Sequence, residues 1–227
     1  STTPIYIDPY FADGNPPTIG RMIPVPLNPA DATRCDAILV THEHIDHMHP
    51  PSYGPLVERL KADLYAPDAS FNQPDYEDEL RAPEDRRHVV DTGNTHEIGD
   101  FTVHVRGAND PDAISPVTYV LEHDAGTFLH AGDIRPAEEL AAIGEEFDID
   151  LGFLAMGSVG MIAEPNPERT RWYMDENQVI EAANALRLDR LLPSHYDMWN
   201  GVGTDPKVLT EHARSFTYPR VIERAVI

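Results

Sequence analysis

Three histidines and an aspartate stand within six residues, in the motif His42-x-His44-x-Asp46-His47. Imidazole and carboxylate groups are ligands that suit Zn²⁺, Mn²⁺ and Fe²⁺, and one such ion needs about four of them. A single histidine is usually an ordinary polar residue, but this many imidazoles without a metal or a charged partner would be costly to bury. The motif therefore predicts a metal site that holds one ion wholly or two ions in part.

An apolar strand predicted over residues 36–41 ends where this motif begins. Strand ends in layered α/β proteins line surface crevices, so a rigid element would deliver the ligands to a site. Two later strands end in a similar way, because the strand predicted over residues 127–130 is followed by Asp133 and that over 191–193 by His195. Either signal is weak alone, and their recurrence predicts that both residues complete the metal centre.

The remaining chain mixes the periods of strands and helices. A strand ending in a turn is predicted over residues 4–9, and alternating or apolar runs predict further strands over 64–66, 88–90, 101–105, 116–122 and 149–156. Helices are predicted over 55–62, 136–143 and 176–188, and a final helix has Thr204 or Asp205 as N-cap and Pro206 at its first position. A loop rich in Asp, Glu and Pro over residues 73–85 is predicted to be an exposed insertion. This pattern predicts an α/β protein.

Length and composition indicate one folded domain over residues 1–227, with 41% hydrophobic residues. The single cysteine, Cys35, excludes an internal disulfide framework and leaves the ligand roles to His, Asp and Glu. No apolar run is long enough to cross a bilayer and no signal-like segment opens the chain, so a cytoplasmic protein without a membrane partner is expected.

The charge is strongly acidic, with 39 Asp and Glu against 17 Lys and Arg and a net charge of −22. Such a surface repels phosphodiester backbones, which counts against nucleic acid as the main partner. A moderately acidic protein is the plain interpretation, but the scarcity of lysine (Lys61 and Lys207) favours adaptation to a salt-rich cytoplasm. At molar salt, screening over ~3 Å would remove the self-repulsion and also weaken the argument against nucleic acid.

On the first motif, Asp133 and His195, taken in this order, the sequence resembles the metallo-β-lactamase fold hydrolases. The resemblance covers essentially the whole chain. It implies an α/β fold, a four-layer αβ/βα sandwich of two mixed β-sheets with helices outside and a metal cleft at the strand ends. It also implies the ligand roles: His42 and His44 for a first metal position, Asp46, His47 and His195 for a second, and Asp133 as a bridge between them.

A narrower resemblance, to the L-ascorbate-6-phosphate lactonase group, implies the reaction. It rests on Gly157-Ser158-x-Gly160, Asn166-Pro167-x-Arg169, His130 before Gly-Asp133, and His195-Tyr-Asp197-Met-Trp199. The function implied is hydrolysis of a sugar-derived lactone by metal-activated water, with Asp46 or Asp133 as the catalytic carboxylate that takes and returns the proton. The substrate is then a small molecule, and a homo-oligomer is also expected.

Four residues are candidates for binding that substrate. Arg169 and Arg171 could hold a phosphate through their planar guanidinium groups, and the competing interpretation is two ordinary surface arginines. Asp197 and Trp199 could shape the pocket or orient His195, and the competing interpretation of Trp199 is a buried structural residue. His130 is left undecided between ligand and structural residue.

The sequence departs from the family pattern in two places. A further ligand histidine is missing from Gly107-Ala-Asn109-Asp110-Pro, so the first position depends on His42, His44 and Asp133 unless Asp110 substitutes. One or two ions are therefore expected, and the oxygen-rich ligand set favours Mn²⁺, with Zn²⁺ as the alternative. The two strands that usually precede the first strand of the fold are absent from this sequence, or the chain is a fragment.

Two alternatives remain open for the function. The same fold and ligands serve phosphodiesterases and nucleases, which would show a basic substrate groove and an added domain. A regulatory protein that binds metal without catalysis is the other, and the nearly complete ligand set argues against it.

Overall fold

The computed structural model describes residues 3–15, 19–72, 80–136, 138–157, 173–199 and 206–223. Strands and α-helices are interspersed along this part of the chain, as in an α/β protein, with a run of consecutive strands between residues 87 and 130. The strands are β1 (Ile5–Ile7), β2 (Gly14–Asn15), β3 (Ile19–Gly20), β4 (Ala37–Leu39), β5 (Asp63–Ala66), β6 (Arg87–Val89), β7 (Thr95–Ile98), β8 (Phe101–Gly107), β9 (Val117–His123), β10 (Gly126–His130), β11 (Leu151–Ala155), β12 (Arg190–Ser194) and β13 (Val221–Ile222). The α-helices are α1 (Pro50–Leu60), α2 (Asp68–Phe71), α3 (Glu138–Glu146), α4 (Glu176–Ala185) and α5 (Leu209–Ala213).

The chain divides into two compact units. The first unit comprises Ser1–Asp13, Val25–Gly107 and Pro111–His123, and the second comprises Gly14–Pro24, Ala108–Asp110 and Asp124–Ile227. The single domain predicted over residues 1–227 stays a prediction.

A parallel sheet of four strands, in the order β1-β4-β5-β6, forms the centre of the first unit. Its inner strand β4 is completely buried, which is why its sequence is a continuous apolar run instead of an alternating one. Ile7 of β1 and Tyr65 of β5 both pair with Leu39 in register, so the carboxyl ends of these strands lie at one edge. Antiparallel strands β7, β8 and β9 complete the strands of this unit.

Helix α1 packs against this parallel sheet through Tyr53, Leu56 and Val57, whose spacing of three and four residues places them on one helix face. The sequence predicted the helix only from residue 55, and the predicted start was wrong by five residues. Pro50 stands at the first helical position, where proline costs nothing because the N–H it lacks has no partner inside a helix. The following prolines obscured this start in the sequence.

The first unit also has a polar link between its two sets of strands. The Tyr119 hydroxyl of β9 donates to the carbonyl oxygen of Val40, directly after β4, at 2.7 Å. Both residues are completely buried, and burial raises the pKa of Tyr119 far above its ordinary value. Tyr119 therefore stays a hydrogen-bond donor and fixes the end of β4, where the histidine motif begins.

The second unit contains the parallel strands β10, β11, β12 and β13. Helix α4 begins with a capping box in which Asp175 and Gln178 each accept a hydrogen bond from the other's backbone N–H. Its buried residues Val179, Ile180 and Ala183, and Leu186 just after it, were predicted to face inward. This placement is confirmed.

The other predicted elements agree with the structure in most places. The strands predicted over 36–41, 64–66, 88–90, 101–105, 116–122, 127–130, 149–156 and 191–193 are found within two residues at each end. Helix α2 and strands β2, β3, β7 and β13 were not predicted, since runs of two to four residues carry no readable period. Pro206 begins a short 3-10 helix (Pro206–Val208) before α5, while the predicted N-cap positions 204 and 205, and residues 73–79 of the predicted insertion, lie outside the described residues.

None of the helices in the described ranges is both long enough and apolar enough to cross a membrane.

Cys35 gives a direct test of the packing in the first unit. Its side chain is 2% exposed, and burial, together with the charge of Asp36, raises the pKa of its thiol to about 12. Because only the thiolate reacts with a disulfide reagent, we expect almost no labelling of the native protein at pH 8 and one thiol per chain after denaturation. Complete labelling in native buffer within minutes would contradict this packing.

His96 of β7 predicts a pH dependence of stability. It contacts the edge of the Tyr65 ring, and burial, followed by the charge of His88, lowers the pKa of His96 below its ordinary 6.5. As the pH falls, the unfolded chain therefore binds a proton at His96 at a higher pH than the folded chain does. The contribution of His96 to the free energy of unfolding is present above pH 6.5 and is lost below it. In metal-free protein, we expect the free energy of unfolding to fall less steeply below this pH in His96→Gln than in the wild type, and parallel profiles would disprove the assignment.

Candidate metal centre

The histidine motif forms a loop directly after β4, which we call the ligand loop (residues 41–47). Thr41, His42 and His47 are buried, with about 1% of each residue exposed, and His44 is partly buried. The rings of His42 and His47 lie 4.0 Å apart between centroids, and those of His42 and His44 lie 4.4 Å apart. The loop thus concentrates three imidazoles at the carboxyl edge of the parallel sheet.

The carboxylate of Asp8 organises this loop. Asp8 follows β1 as Val40 and Thr41 follow the neighbouring strand β4, so all three lie at the same sheet edge. Its Oδ1 accepts the Thr41 backbone N–H at 2.7 Å, and its Oδ2 accepts the Thr41 hydroxyl at 2.7 Å and the His47 ring at 2.9 Å. Asp8 has φ +46°, in the left-handed region that aspartate tolerates better than most residues.

These contacts assign the proton of His47. Because an ionised carboxylate only accepts hydrogen bonds, His47 must donate to Asp8 from its Nδ1. A neutral His47 then carries a lone pair on Nε2, the nitrogen that can bind a metal. A carboxylate behind a ligand histidine fixes the tautomer and ring orientation and makes the imidazole a stronger ligand.

The same reasoning applies to His42 and His44. The Thr41 hydroxyl gives its one proton to Asp8, so it accepts from His42 Nδ1 at 2.9 Å. His44 donates from Nε2 to the carbonyl oxygen of Asp112 at 3.2 Å. When both rings are neutral, His42 Nε2 and His44 Nδ1 therefore present lone pairs to each other at 2.9 Å.

Two lone pairs at this distance repel each other unless a cation lies near both. The donor set of the ligand loop, with neutral imidazole nitrogens and a neighbouring carboxylate, therefore suits a divalent metal ion of the Mn²⁺ or Zn²⁺ class. All the residues in this arrangement belong to the first unit.

Asp46 and Glu43, which share the ligand loop, face different surroundings. Asp46 Oδ1 lies 3.8 Å from His47 Nε2, on the metal-binding side of that ring. The charge of Asp46 also raises the pKa of His49, but burial outweighs it and the pKa of His49 lies below its ordinary value. Glu43 is buried and accepts the backbone N–H of Ile114 at 2.7 Å.

The second unit brings Asp133 and His195 together. Asp133 follows β10 and His195 follows β12, and Asp133 Oδ1 lies 3.0 Å from His195 Nε2. Gly132 (φ +65°) and His195 (φ +64°) both adopt left-handed backbone conformations, which turn the chain sharply after each strand. The ring of buried Tyr173 stacks on His195 at 4.7 Å and holds its plane.

Two other residues were singled out from the sequence, Asp110 and His130. Asp110 is a buried carboxylate of the second unit, 7% exposed, and its role as a metal ligand stays a prediction. His130 Nδ1 accepts the backbone N–H of Gly132, a structural contact.

The structure describes two of the four residues that were predicted to bind the substrate. Trp199 is buried and forms a strand bridge with Arg21, whereas Asp197 is exposed. Arg169 and Arg171 lie outside the described residues. All four substrate roles stay predictions.

Sequence reasoning missed two residues that contact predicted ligands, Asp8 beside His47 and Tyr173 beside His195. A signal for Asp8 existed, because a carboxylate directly after a predicted strand matches the pattern used for Asp133. Tyr173 gave no such signal, since its ring meets His195 only through the fold.

Comparison with known proteins supports the fold. A family model described as a β-lactamase superfamily domain matches residues 3–196. A protein of Escherichia fergusonii named as a probable L-ascorbate-6-phosphate lactonase is 27% identical over 210 residues, which cover 82% of this chain and 56% of the relative. The chain thus spans little more than half the length of such curated relatives.

Solved structures with low sequence identity to this chain share its fold. An isothiocyanate hydrolase from Delia radicum gut bacteria superposes with a TM-score of 0.71 at 17% identity, over 98% of this chain and 89% of the other. Igni18, a metallo hydrolase from Ignicoccus hospitalis, gives a TM-score of 0.65 at 18% identity, over 84% of this chain and 76% of the other. The predicted α/β fold with two β-sheets and helices is confirmed. Because the family model spans most of its residues, the chain belongs to the metallo-β-lactamase superfamily, whose members include metal-dependent hydrolases.

Proposed function

We propose that this protein is a metal-dependent hydrolase that opens the ring of a lactone. The observation that carries the proposal is the pair of lone-pair nitrogens, His42 Nε2 and His44 Nδ1, that face each other at 2.9 Å in a loop held by Asp8. With both rings neutral, this arrangement is favourable when a cation lies near both nitrogens, and a metal ion or a proton on one ring would supply it. Membership of the superfamily supports hydrolysis as the use of that cation.

The proposed ligand set is the one that the family resemblance implies. His42 and His44 would serve one metal position, Asp46, His47 and His195 a second, and Asp133 would bridge them. The close pair of Asp133 and His195, with Oδ1 and Nε2 3.0 Å apart, supports a shared role for these two residues. Asp110 is proposed as the carboxylate that replaces the missing histidine, and the resulting number of carboxylates favours Mn²⁺ over Zn²⁺.

A divalent ion held by these residues would lower the pKa of a water molecule and polarise the carbonyl of the substrate. Asp46 or Asp133 is proposed to accept the proton of that water on a carboxylate oxygen and to return it to the alcohol oxygen that leaves when the ring opens. Asp8 keeps the proton of His47 on Nδ1, so that Nε2 remains a ligand.

The printed name of the relatives supports a lactone as the substrate class. At 27% identity, the L-ascorbate 6-phosphate in that name is the first compound to test and is not an assignment. In this proposal, Arg169 and Arg171 would bind a phosphate group, and Asp197 and Trp199 would border the substrate.

The test combines metal analysis with two activity assays. Protein purified in high salt would be analysed for metal, then stripped, reloaded with Mn²⁺ or Zn²⁺ and assayed with L-ascorbate 6-phosphate, simple lactones and a phosphodiester. We expect bound metal, turnover of a lactone and at least a ~100-fold loss in Asp133→Asn, because a lost ligand should cost no less than a lost residue behind a ligand.

Asp189→Asn is the matched control, since Asp189 stands before β12 at the opposite end of the same strands and pairs with Arg220. Cleavage of the phosphodiester without turnover of any lactone would show that the protein is a phosphodiesterase and not a lactonase. Unchanged hydrolysis in both Asp133→Asn and His47→Ala would disprove catalysis at this centre.

Asp8 gives a separate prediction. Asp8→Asn keeps the size of the side chain but replaces one acceptor oxygen with a donor, so the contacts to Thr41 and His47 can no longer all form. We expect metal affinity, measured by competition with a chelator, and lactone turnover to fall about 10- to 100-fold. Wild-type metal affinity in a folded Asp8→Asn variant would show that His47 does not depend on this carboxylate.

A further inference from the structure

Two backbone contacts in the second unit join the segment before helix α4 to the end of strand β12. Met156, directly after β11, donates its N–H to the carbonyl oxygen of Ser194, the last residue of β12, at 2.9 Å. Gly157, the next residue, donates its N–H to the carbonyl oxygen of Met174 at 2.9 Å, and Met156 and Met174 form a parallel bridge. The residue before Met174 is thereby placed close to the turn that follows β12.

That residue is Tyr173, and helix α4 fixes the chain after it. Asp175 is the N-cap of α4, where its carboxylate accepts the N–H of Gln178 at 3.0 Å and the side chain of Gln178 accepts the N–H of Asp175 at 3.0 Å. Such a capping box holds the backbone at the start of a helix. Tyr173, two residues before the N-cap, is 4% exposed, so packing restrains its side chain as well.

The ring of Tyr173 covers one face of the His195 imidazole. The two ring centroids lie 4.7 Å apart, and the ring planes are 7° from parallel. An imidazole that extends from a turn, as that of His195 does with φ +64°, can rotate about its side-chain bonds unless a neighbour holds it. The stack with a buried tyrosine supplies that restraint.

A ring stack restrains an imidazole in a different way from a hydrogen bond. In the ligand loop, the carboxylate of Asp8 holds His47, and this contact uses one ring nitrogen. The nitrogens of an imidazole bind their partners in the plane of the ring, whereas Tyr173 contacts His195 through the ring face. The stack therefore fixes the plane of His195 without using either nitrogen, and Nε2 lies 3.0 Å from Asp133 Oδ1.

We propose that Tyr173 is a positioning residue, which sets the plane of the His195 ring for metal binding through this stack. The inference rests on the proposed function in taking His195 as a metal ligand. It assigns no role to the Tyr173 hydroxyl, because the ring makes the contact with His195. Position 173 therefore requires a flat side chain, and an aliphatic side chain that fills the same space is not sufficient.

The variants Tyr173→Phe and Tyr173→Leu separate the effect of the ring from that of the hydroxyl. Phenylalanine keeps the flat face, whereas leucine fills much of the space without it. We expect metal affinity, measured by chelator competition for Mn²⁺ and for Zn²⁺, to stay within about twofold in Tyr173→Phe and to fall about 3- to 10-fold in Tyr173→Leu, as for a lost aromatic pair. Wild-type affinity in Tyr173→Leu would overturn the proposal, and so would an equal loss in both variants.

Phe101→Leu is the matched control, because it removes another ring that lies beside a histidine. The rings of Phe101 and His123 are 4.7 Å apart between centroids, and the neighbouring Asp100 binds Thr3, which precedes β1 at the end opposite the ligand loop. We expect wild-type metal affinity in Phe101→Leu. A loss equal to that in Tyr173→Leu would show that removal of any such ring lowers the affinity, and would overturn the specific role of Tyr173.

A double-mutant cycle tests whether Tyr173 acts through His195. The effect of Tyr173→Leu on metal affinity would be measured in the wild type and in His195→Gln. We expect the loss in the wild-type background and none in His195→Gln, because the stack then has no imidazole to position. The same loss in both backgrounds would overturn the proposal.

The stack also has a signature in the metal-free protein that does not depend on activity. The ring current of Tyr173 shifts the Cε1 proton of His195 upfield in the NMR spectrum, and the loss of this signal in His195→Gln assigns it. We expect the upfield shift in the wild type and in Tyr173→Phe, and an ordinary shift in Tyr173→Leu. An ordinary shift in the wild type would disprove the stack whether or not the variants fold.

These measurements keep the role of Tyr173 separate from the proposed reaction. If no lactone is hydrolysed but metal affinity and the NMR signal follow the presence of the ring, the proposed function fails and the role of Tyr173 stands. If lactones are hydrolysed and Tyr173→Leu binds metal as tightly as the wild type does, the reaction stands and the role of Tyr173 is disproved.

Discussion

The arrangement of the ligand loop depends on one carboxylate, that of Asp8. It accepts three hydrogen bonds, from the Thr41 backbone, the Thr41 hydroxyl and the His47 ring, and these define where the protons of the loop reside. Because the Thr41 proton is committed to Asp8, His42 must donate from Nδ1 and present Nε2 as a lone pair. One carboxylate thus orients two imidazoles, which would reduce the reorganisation that metal binding requires.

Parallel strand pairing brings these residues together in each unit. Strands β1 and β4 run side by side in the same direction, so Asp8 and Thr41, 33 positions apart in the chain, meet at one edge. Strands β10 and β12 flank β11 in the same way and deliver Asp133 and His195 to within 3.0 Å. A turn after each strand end supplies the polar residue, and the left-handed conformations of Asp8, Gly132 and His195 make those turns tight.

The buried polar groups of the first unit oppose stability unless each contact is made, because a carboxylate or imidazole taken from water loses its hydration. Tyr119 donates to the carbonyl of Val40 just after β4, Asp8 binds Thr41 and His47, and Glu43 binds the backbone of Ile114. These contacts hold a concentrated set of ionisable groups in fixed positions beside an apolar core. The stability of that core, with completely buried residues such as Ile38 and Tyr53, is what makes this concentration of polar groups tolerable.

The sequence by itself predicted a metal site over residues 42–47, and it indicated most strands and the family, because ligand type, apolar runs and motif order are local properties. It did not locate the start of α1, since Pro50, Pro51 and Pro55 signal a loop until the packing of Tyr53 shows a helix. It also passed over Asp8 as the end of a strand. Only the tertiary structure decided which imidazole nitrogens carry lone pairs, because the acceptors that fix those protons, Asp8 and the carbonyl of Asp112, are distant in sequence and reach the ligands through strand pairing and loop contacts alone.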